Sequence, residues 1–201
     1  MLCSLILKIN DLVVEPFIRK TKEQICTLLP ESNGRLLLDL CSSSGEQSNI
    51  AFCQGYNVIG LDLNYYALRY ARKKYPQINF ICADASKVPF KKETFSYVII
   101  TNGVHDKPES LRCSIIEQAY LMLKQDGFLA ITDLERPWNK RSFIQNIFTS
   151  IIEIFSGHCK NGFSFLKQGG VSAFIKKIKV EIIKTKKYSN RNIISLICQK
   201  I

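Results

Sequence analysis

Three carboxylates stand at a regular interval in the first half of this 201-residue chain: Asp39, Asp62 and Asp84. Each lies at or just past the end of a short apolar run, and the spacings, 23 and 22 residues, are about one strand plus one helix. Asp39 opens a run of small residues, Cys41-Ser42-Ser43-Ser44-Gly45, that leads into Glu46. Small side chains there let a ligand approach the backbone and the amide groups of a helix N-terminus. A planar carboxylate takes two donors at once, so Asp62 can accept both hydroxyls of a ribose. Asp84 can accept a hydrogen bond from an exocyclic amine such as that of adenine. One Asp at a strand end is ordinarily a cap or a solvated residue. Three at successive strand ends compose a nucleoside site. The next such place carries Thr101-Asn102-Gly103-Val104-His105-Asp106. Only Gly45 stands in the first loop, so the Gly-x-Gly-x-x-Gly of a dinucleotide fold is missing, and so is the Gly-Lys-Ser/Thr of a phosphate loop.

The elements that must hold these residues follow from hydrophobic periodicity. Val14, Ile18, Ile25 and Leu29 predict an amphipathic helix over 11–29, with Pro30 beyond it. Strands are expected at 36–40, 58–62, 78–83, 97–101 and 128–132, with helices between them. Gly55 stops one helix, Asn64 caps the next, and Leu111, Ile115, Ala119 and Met122 line a third. Strict alternation of this kind implies an α/β, Rossmann-like, doubly wound and mostly parallel sheet. The rhythm then changes. A helix over Ile144 to Phe155 precedes a Gly- and Phe-bearing segment, Gly157 to Gly170, and a short helix at 171–177. Two last strands, 178–183 and 192–198, are joined by a polar turn at 186–190. They complete a seven-stranded sheet with a C-terminal antiparallel hairpin. No repeat or linker interrupts residues 1–201, which read as a single domain: the 11–29 helix as a lid, 35–135 as the ligand-binding core, and 136–201 as the substrate side.

Composition bounds the function. A chain 46% hydrophobic and 22% charged is neither disordered nor low in complexity. Its net charge is +11, yet residues 1–135 hold 15 basic and 15 acidic side chains. The whole excess lies in 136–201. A functional basic face and AT-rich coding drift, with Lys outnumbering Arg 20 to 8, account for it equally well. Eight scattered cysteines without a C-x-x-C pair point to free thiols in a reducing, cytoplasmic setting, and no metal site is expected. The apolar stretch Met1 to Leu7 is too short for a signal peptide, and Phe143 to Phe155 is too short and polar to span a bilayer.

Taken together, Asp39 to Gly45, Gly60-Leu61-Asp62, Ala83-Asp84-Ala85, Asn102 to Asp106 and Leu123 to Phe128 resemble the successive motifs of class I S-adenosylmethionine-dependent methyltransferases. The branch is similar to the ubiquinone/menaquinone-biosynthesis enzymes. The resemblance implies S-adenosylmethionine as the cofactor, held by Asp39 and the loop Cys41, Ser43 and Gly45 around its methionine part. It implies Asp62 on the ribose, Leu63 against adenine, Asp84 with Ala85 at the adenine edge, and Asn102 and Gly103 near the methyl. The family loop is usually Asp-x-Gly-x-Gly-x-Gly. Here Cys41 and Ser43 replace the first two glycines, and a Cβ at Ser43 is expected to crowd the cofactor or shift the loop.

Methyl transfer is an in-line displacement, in which a general base is needed only for an acceptor protonated at neutral pH. His105 is the candidate base, with Asp106 orienting it; packing under the substrate is the competing role. His158, Phe163 and Phe165 are placed at the acceptor pocket by the same resemblance, and Phe17 and Arg19 of the first helix are expected to face the cofactor. The reaction read from these residues is methylation of a small-molecule acceptor at O, N or C. The alternative is a non-catalytic member that binds a nucleoside or a partner protein. Nucleic acid is not expected as substrate. The loop after the fourth strand has neither Asn/Asp-Pro-Pro-Tyr/Phe nor Pro-Cys, and no aromatics interleave the C-terminal lysines. An anionic membrane surface is a weaker partner for the basic third.

Overall fold

A computed structural model describes residues 15–31, 34–136, 159–188 and 192–201. The helix expected over 144–155, His158 and the Phe17 side chain lie outside that description. Seven strands form one sheet: β1 (Leu36–Leu40), β2 (Asn57–Asp62), β3 (Asn79–Cys82), β4 (Phe95–Thr101), β5 (Leu123–Leu134), β6 (Val180–Lys187) and β7 (Ile193–Lys200). Their order is β3-β2-β1-β4-β5-β7-β6. β1 to β5 run parallel, and β7 is antiparallel to both β5 and β6. The terminal pair is therefore not a simple appendage. Its second strand inserts between β5 and the first, because β7 is apolar enough to be buried on both faces and β6 is not.

Alternation along the strands divides the core in two. Leu37, Val58, Tyr97 and Ile99 face one side, against Ile25, Cys26, Ile50, Leu68 and Ala71. These come from α1 (Glu15–Leu28), α2 (Glu46–Cys53) and α3 (Tyr65–Lys74). Leu38, Leu40, Val98 and Ile100 face the other side, with Ile115, Ala119, Val171 and Phe174. Those belong to α4 (Glu109–Met122) and α6 (Gly170–Ile175), with α5 (Cys159–Lys167) alongside. α1 is more than a lid. Ile25 is fully buried, so the C-terminal half of α1 is an integral layer on the sheet. The segment 157–170, read as irregular, contains α5. Among the described residues no helix is long and apolar enough to cross a membrane.

The carboxyl ends of β1 and β4 are adjacent, with β2 and β3 outward of β1 and β5 outward of β4. Crossovers leave in opposite directions there, which opens a crevice above the strand ends. An open cavity of about 350 Å³, bordered by Cys26, Leu29, Pro30, Gln54 and Tyr56, lies at the opposite, amino end of β1 and β2.

Candidate functional site

The loop after β1 keeps a glycine-like path with two non-glycine residues. Cys41, Ser43 and Gly45 have φ of 63°, 47° and 80°, all left-handed. The amide of Ser43 donates to Asp62 Oδ2 at 2.9 Å. The amide of Asn64 donates to Asp62 Oδ1 at 2.8 Å. The carboxylate at the end of β2 is thus clamped by one backbone amide on each oxygen, and each oxygen keeps lone-pair capacity for a hydroxyl. Leu63, beside it, is 70% exposed.

Asp84 is held by the amide and hydroxyl of Ser86, both on Oδ1, at 2.8 and 2.7 Å. Those two bonds hold its carboxyl below the ordinary value. Oδ2 remains for a donor. Ala85, next to it, is buried. Asp39 is placed differently from a surface ligand: it is buried, with Ser48 Oγ donating to Oδ2 at 2.6 Å. Burial pushes its carboxyl up to about 7, while the Ser48 hydroxyl and the charge of Lys22 on α1 act in the opposite direction. Asn102, also left-handed at φ 52°, ties its amide to Thr132 O at 2.8 Å. A Cβ on Gly103 would stand 3.0 Å from the Cys41 Cβ, so the loops after β1 and β4 touch there.

The donor set suits a nucleoside bearing a methionine. Two half-satisfied carboxylates stand at the ends of β2 and β3, the exposed Leu63 follows the first of them, and Ser42 Oγ is buried in the loop without a hydrogen-bond partner among the described residues. Among the described residues no group of three or more His, Cys, Asp or Glu could hold a metal ion.

Beyond the loop after β4 the geometry corrects three expectations. His105 is oriented by Asp133, at the end of β5, and not by Asp106: Nδ1 lies 2.6 Å from Asp133 Oδ1. Asp106 instead pairs with Lys107 at 2.8 Å. Phe165 lines no surface; it is fully buried, stacked on Phe174 and covered by the Arg112 guanidinium. Phe163 is 59% exposed on α5, with the Lys167 ammonium over its ring. Arg19 turns to Glu23 and to the buried Glu46, which also receives Lys74 and Tyr75, and so pins α1 to α2 and α3.

Asp133 and Arg112 were missed by the sequence reading. Asp133 was open to the strand-end argument, which stopped at the fourth strand. Arg112 sits three residues before Ile115, on the buried stripe of its helix. It donates to the carbonyls of Val104 at 3.2 Å, His105 at 3.1 Å and Asn161, and to the Gln168 side chain at 3.3 Å.

Residues 37–127 match the family of the methyltransferase domain. An uncharacterised methyltransferase of Synechocystis sp. is 32% identical over 108 residues, 54% of this chain and 51% of that protein. A ubiquinone/menaquinone biosynthesis C-methyltransferase of Rickettsia prowazekii is 27% identical over 177 residues, 78% and 69% of the two chains. A demethylmenaquinone methyltransferase of Paenarthrobacter aurescens is 24% identical over 129 residues, 64% and 50%. The chain spans about half the length of the first relatives it matches. In fold it is similar to a Pyrococcus horikoshii protein, with a TM-score of 0.72 at 16% identity over 94% of this chain and 91% of that one. A SAM-dependent methyltransferase of Methanosarcina mazei gives 0.65 at 17% over 88% and 96%. Residues 37–127 are thus similar in sequence to a methyltransferase domain, and the fold around them is similar to that of solved methyltransferases.

Proposed function

We propose that this chain moves a methyl group from S-adenosylmethionine to a small-molecule acceptor by in-line displacement. The observation that carries the reading is Asp62, fixed by the amides of Ser43 and Asn64 with both oxygens still able to accept. Asp62 holds the ribose hydroxyls, Leu63 packs on the adenine, and Asp84 with Ala85 reads its edge. Cys41, Ser43 and Gly45 carry the backbone past the methionine part, under which Asp39 is buried, and Asn102 with Gly103 borders the transferred methyl. The cofactor supplies an electrophilic methyl on a sulfonium, whose thioether leaves without acid assistance. The residues around it therefore align the acceptor and exclude water. Relatives named for methylation in quinone biosynthesis support an aromatic, conjugated acceptor, and the free thiols among the described cysteines support a reducing, cytoplasmic setting.

Calorimetric titration with S-adenosylhomocysteine tests the reading. Wild type binds, and Asp62→Ala weakens binding at least tenfold, about 1.4 kcal/mol. Wild type that does not bind removes the cofactor assignment; equal binding by Asp62→Ala removes the role of Asp62.

A further inference from the structure

The deepest polar arrangement near the site lies outside the cofactor residues. Asp133 is fully buried at the end of β5, and each of its oxygens is fixed by backbone: Leu134 N donates to Oδ1 at 2.8 Å and Val104 N to Oδ2 at 3.0 Å. His105 Nδ1 completes Oδ1 at 2.6 Å. Burial pushes the Asp133 carboxyl up, but the charge and hydrogen bond of His105 and the two amides outweigh it and hold it below its ordinary value. The imidazole is fixed from behind as well, because Arg112 donates to the His105 carbonyl at 3.1 Å and to that of Val104 at 3.2 Å. Its side chain still keeps 18% of its surface exposed. It stands two residues beyond Gly103, where the loops after β1 and β4 meet.

Resting on the methyl-transfer reading, we propose that His105 is the general base, that Asp133 is its positioning residue, and that the acceptor is an enol or phenol whose nucleophilic atom must lose a proton. With Nδ1–H committed to a fixed carboxylate, Nε2 is the basic nitrogen of the ring. A buried charge that merely tied two strand ends together would cost more desolvation than a neutral pair of similar shape. As a base it has a use for that charge. The acceptor's hydroxyl proton passes to Nε2, and the electron pair released forms the bond to the methyl carbon, from the oxygen or from the conjugated ring carbon. In the second case the oxygen is left as a carbonyl, and the carbon's own proton then moves through water to that oxygen, which restores the aromatic ring and its hydroxyl. The methyl–sulfur bond breaks with its pair on sulfur. The imidazolium, facing Asp133, returns its proton to water. Among the described residues the charged groups around the ring are Asp133 from β5, Arg112 from α4, and Asp106 with Lys107 on its own loop. Asp106 is engaged by Lys107, and Asp133 is the acid at hydrogen-bond distance from Nδ1.

The test uses wild type, His105→Gln and Asp133→Asn, with S-adenosylhomocysteine calorimetry and methyl transfer to two probes. One is 1,4-naphthohydroquinone, which must be deprotonated; the other is pyridine, whose nitrogen needs no base. Expected are transfer to the naphthohydroquinone with an acid limb in kcat against pH, loss of that limb in His105→Gln, and a kcat loss of about 10²–10⁴-fold in both variants. S-adenosylhomocysteine affinity stays within about threefold, a shift below about 0.7 kcal/mol. Because Asp133→Asn removes a buried acceptor and risks misfolding, 4-methylimidazole rescue of His105→Ala provides a second measurement: rescue is expected for a base and not for a packing residue. Unchanged kcat in His105→Gln, absence of rescue, or wild type that binds S-adenosylhomocysteine and methylates only pyridine or neither probe overturns the proposal. Wild type that fails to bind S-adenosylhomocysteine overturns the methyltransferase reading beneath it.

Discussion

Cys41 and Ser43 adopt a backbone conformation that L-residues avoid, at the two places where the resembling loop carries glycine. A Cβ in the left-handed region costs about 1–2 kcal/mol, and glycine gives back about 0.5–1 through its freer unfolded chain. The third position tolerates no such change. A Cβ on Gly45 would stand 2.7 Å from the Phe80 ring, so here glycine is required by space as well as by φ. At position 41 the side chain is useful, since it packs on Gly103. Ser43 has only its amide engaged, on Asp62. Ser43→Gly is therefore expected to stabilise by about 0.5 kcal/mol, while Ser43→Val, branched at a positive φ, destabilises by about 2 kcal/mol. Urea denaturation ranks the three proteins, and a Val variant as stable as wild type refutes the strain argument.

At the scale of elements, one side chain joins the loop after β4 to α5. The Arg112 guanidinium satisfies three backbone carbonyls in a fully buried setting, and Asn161 Nδ2 adds a bond to Asp106 O at 2.8 Å. Arg112→Gln leaves several of these acceptors unpaired, at about 1–3 kcal/mol for each buried group. The predicted outcome is local: amide exchange over α5 accelerates by at least an order of magnitude while β1 and β2 keep their protection. Acceleration spread evenly over the sheet would falsify it. This coupling also marks how far the sequence was legible. Continuous apolar runs revealed β1, β2 and β4, and strand-end acids located Asp62 and Asp84, because both signals are local. Arg112 acts between residues far apart in sequence, so no spacing announced it, whereas Asp133 is a strand-end acid of the same kind as Asp62 and Asp84, one strand beyond those considered. α5 was hidden by Gly162 and two phenylalanines within nine residues, of which only Phe165 turned inward. α1 read as a lid because amphipathicity fixes which face is buried, not what covers it.

For the molecule as a whole, part of the C-terminal charge sits where the sheet ends, in Lys184, Lys186 and Lys187 of β6. β6 pairs with β7 on one side and, among the described residues, with no strand on the other, and it is exposed along most of its length. Ile182 and Ile183 are both more than a third exposed there, which makes the edge a template for a strand of another chain. Lys184 and Lys186 follow directly in β6, and Lys184 Nζ also donates to Leu28 O at 2.9 Å across to α1. If these charges keep the edge single, their sign is immaterial and their presence is not. Lys184→Glu/Lys186→Glu should then keep the mass of wild type in light scattering, whereas Lys184→Val/Lys186→Val grows with concentration. Binding of wild type to phosphatidylglycerol-containing vesicles, lost in the Glu variant and weakened by salt, would assign the same lysines to an anionic surface instead. A Val variant that stays at wild-type mass removes the edge-protection account, and with it the structural reason for placing this charge at the rim of the sheet.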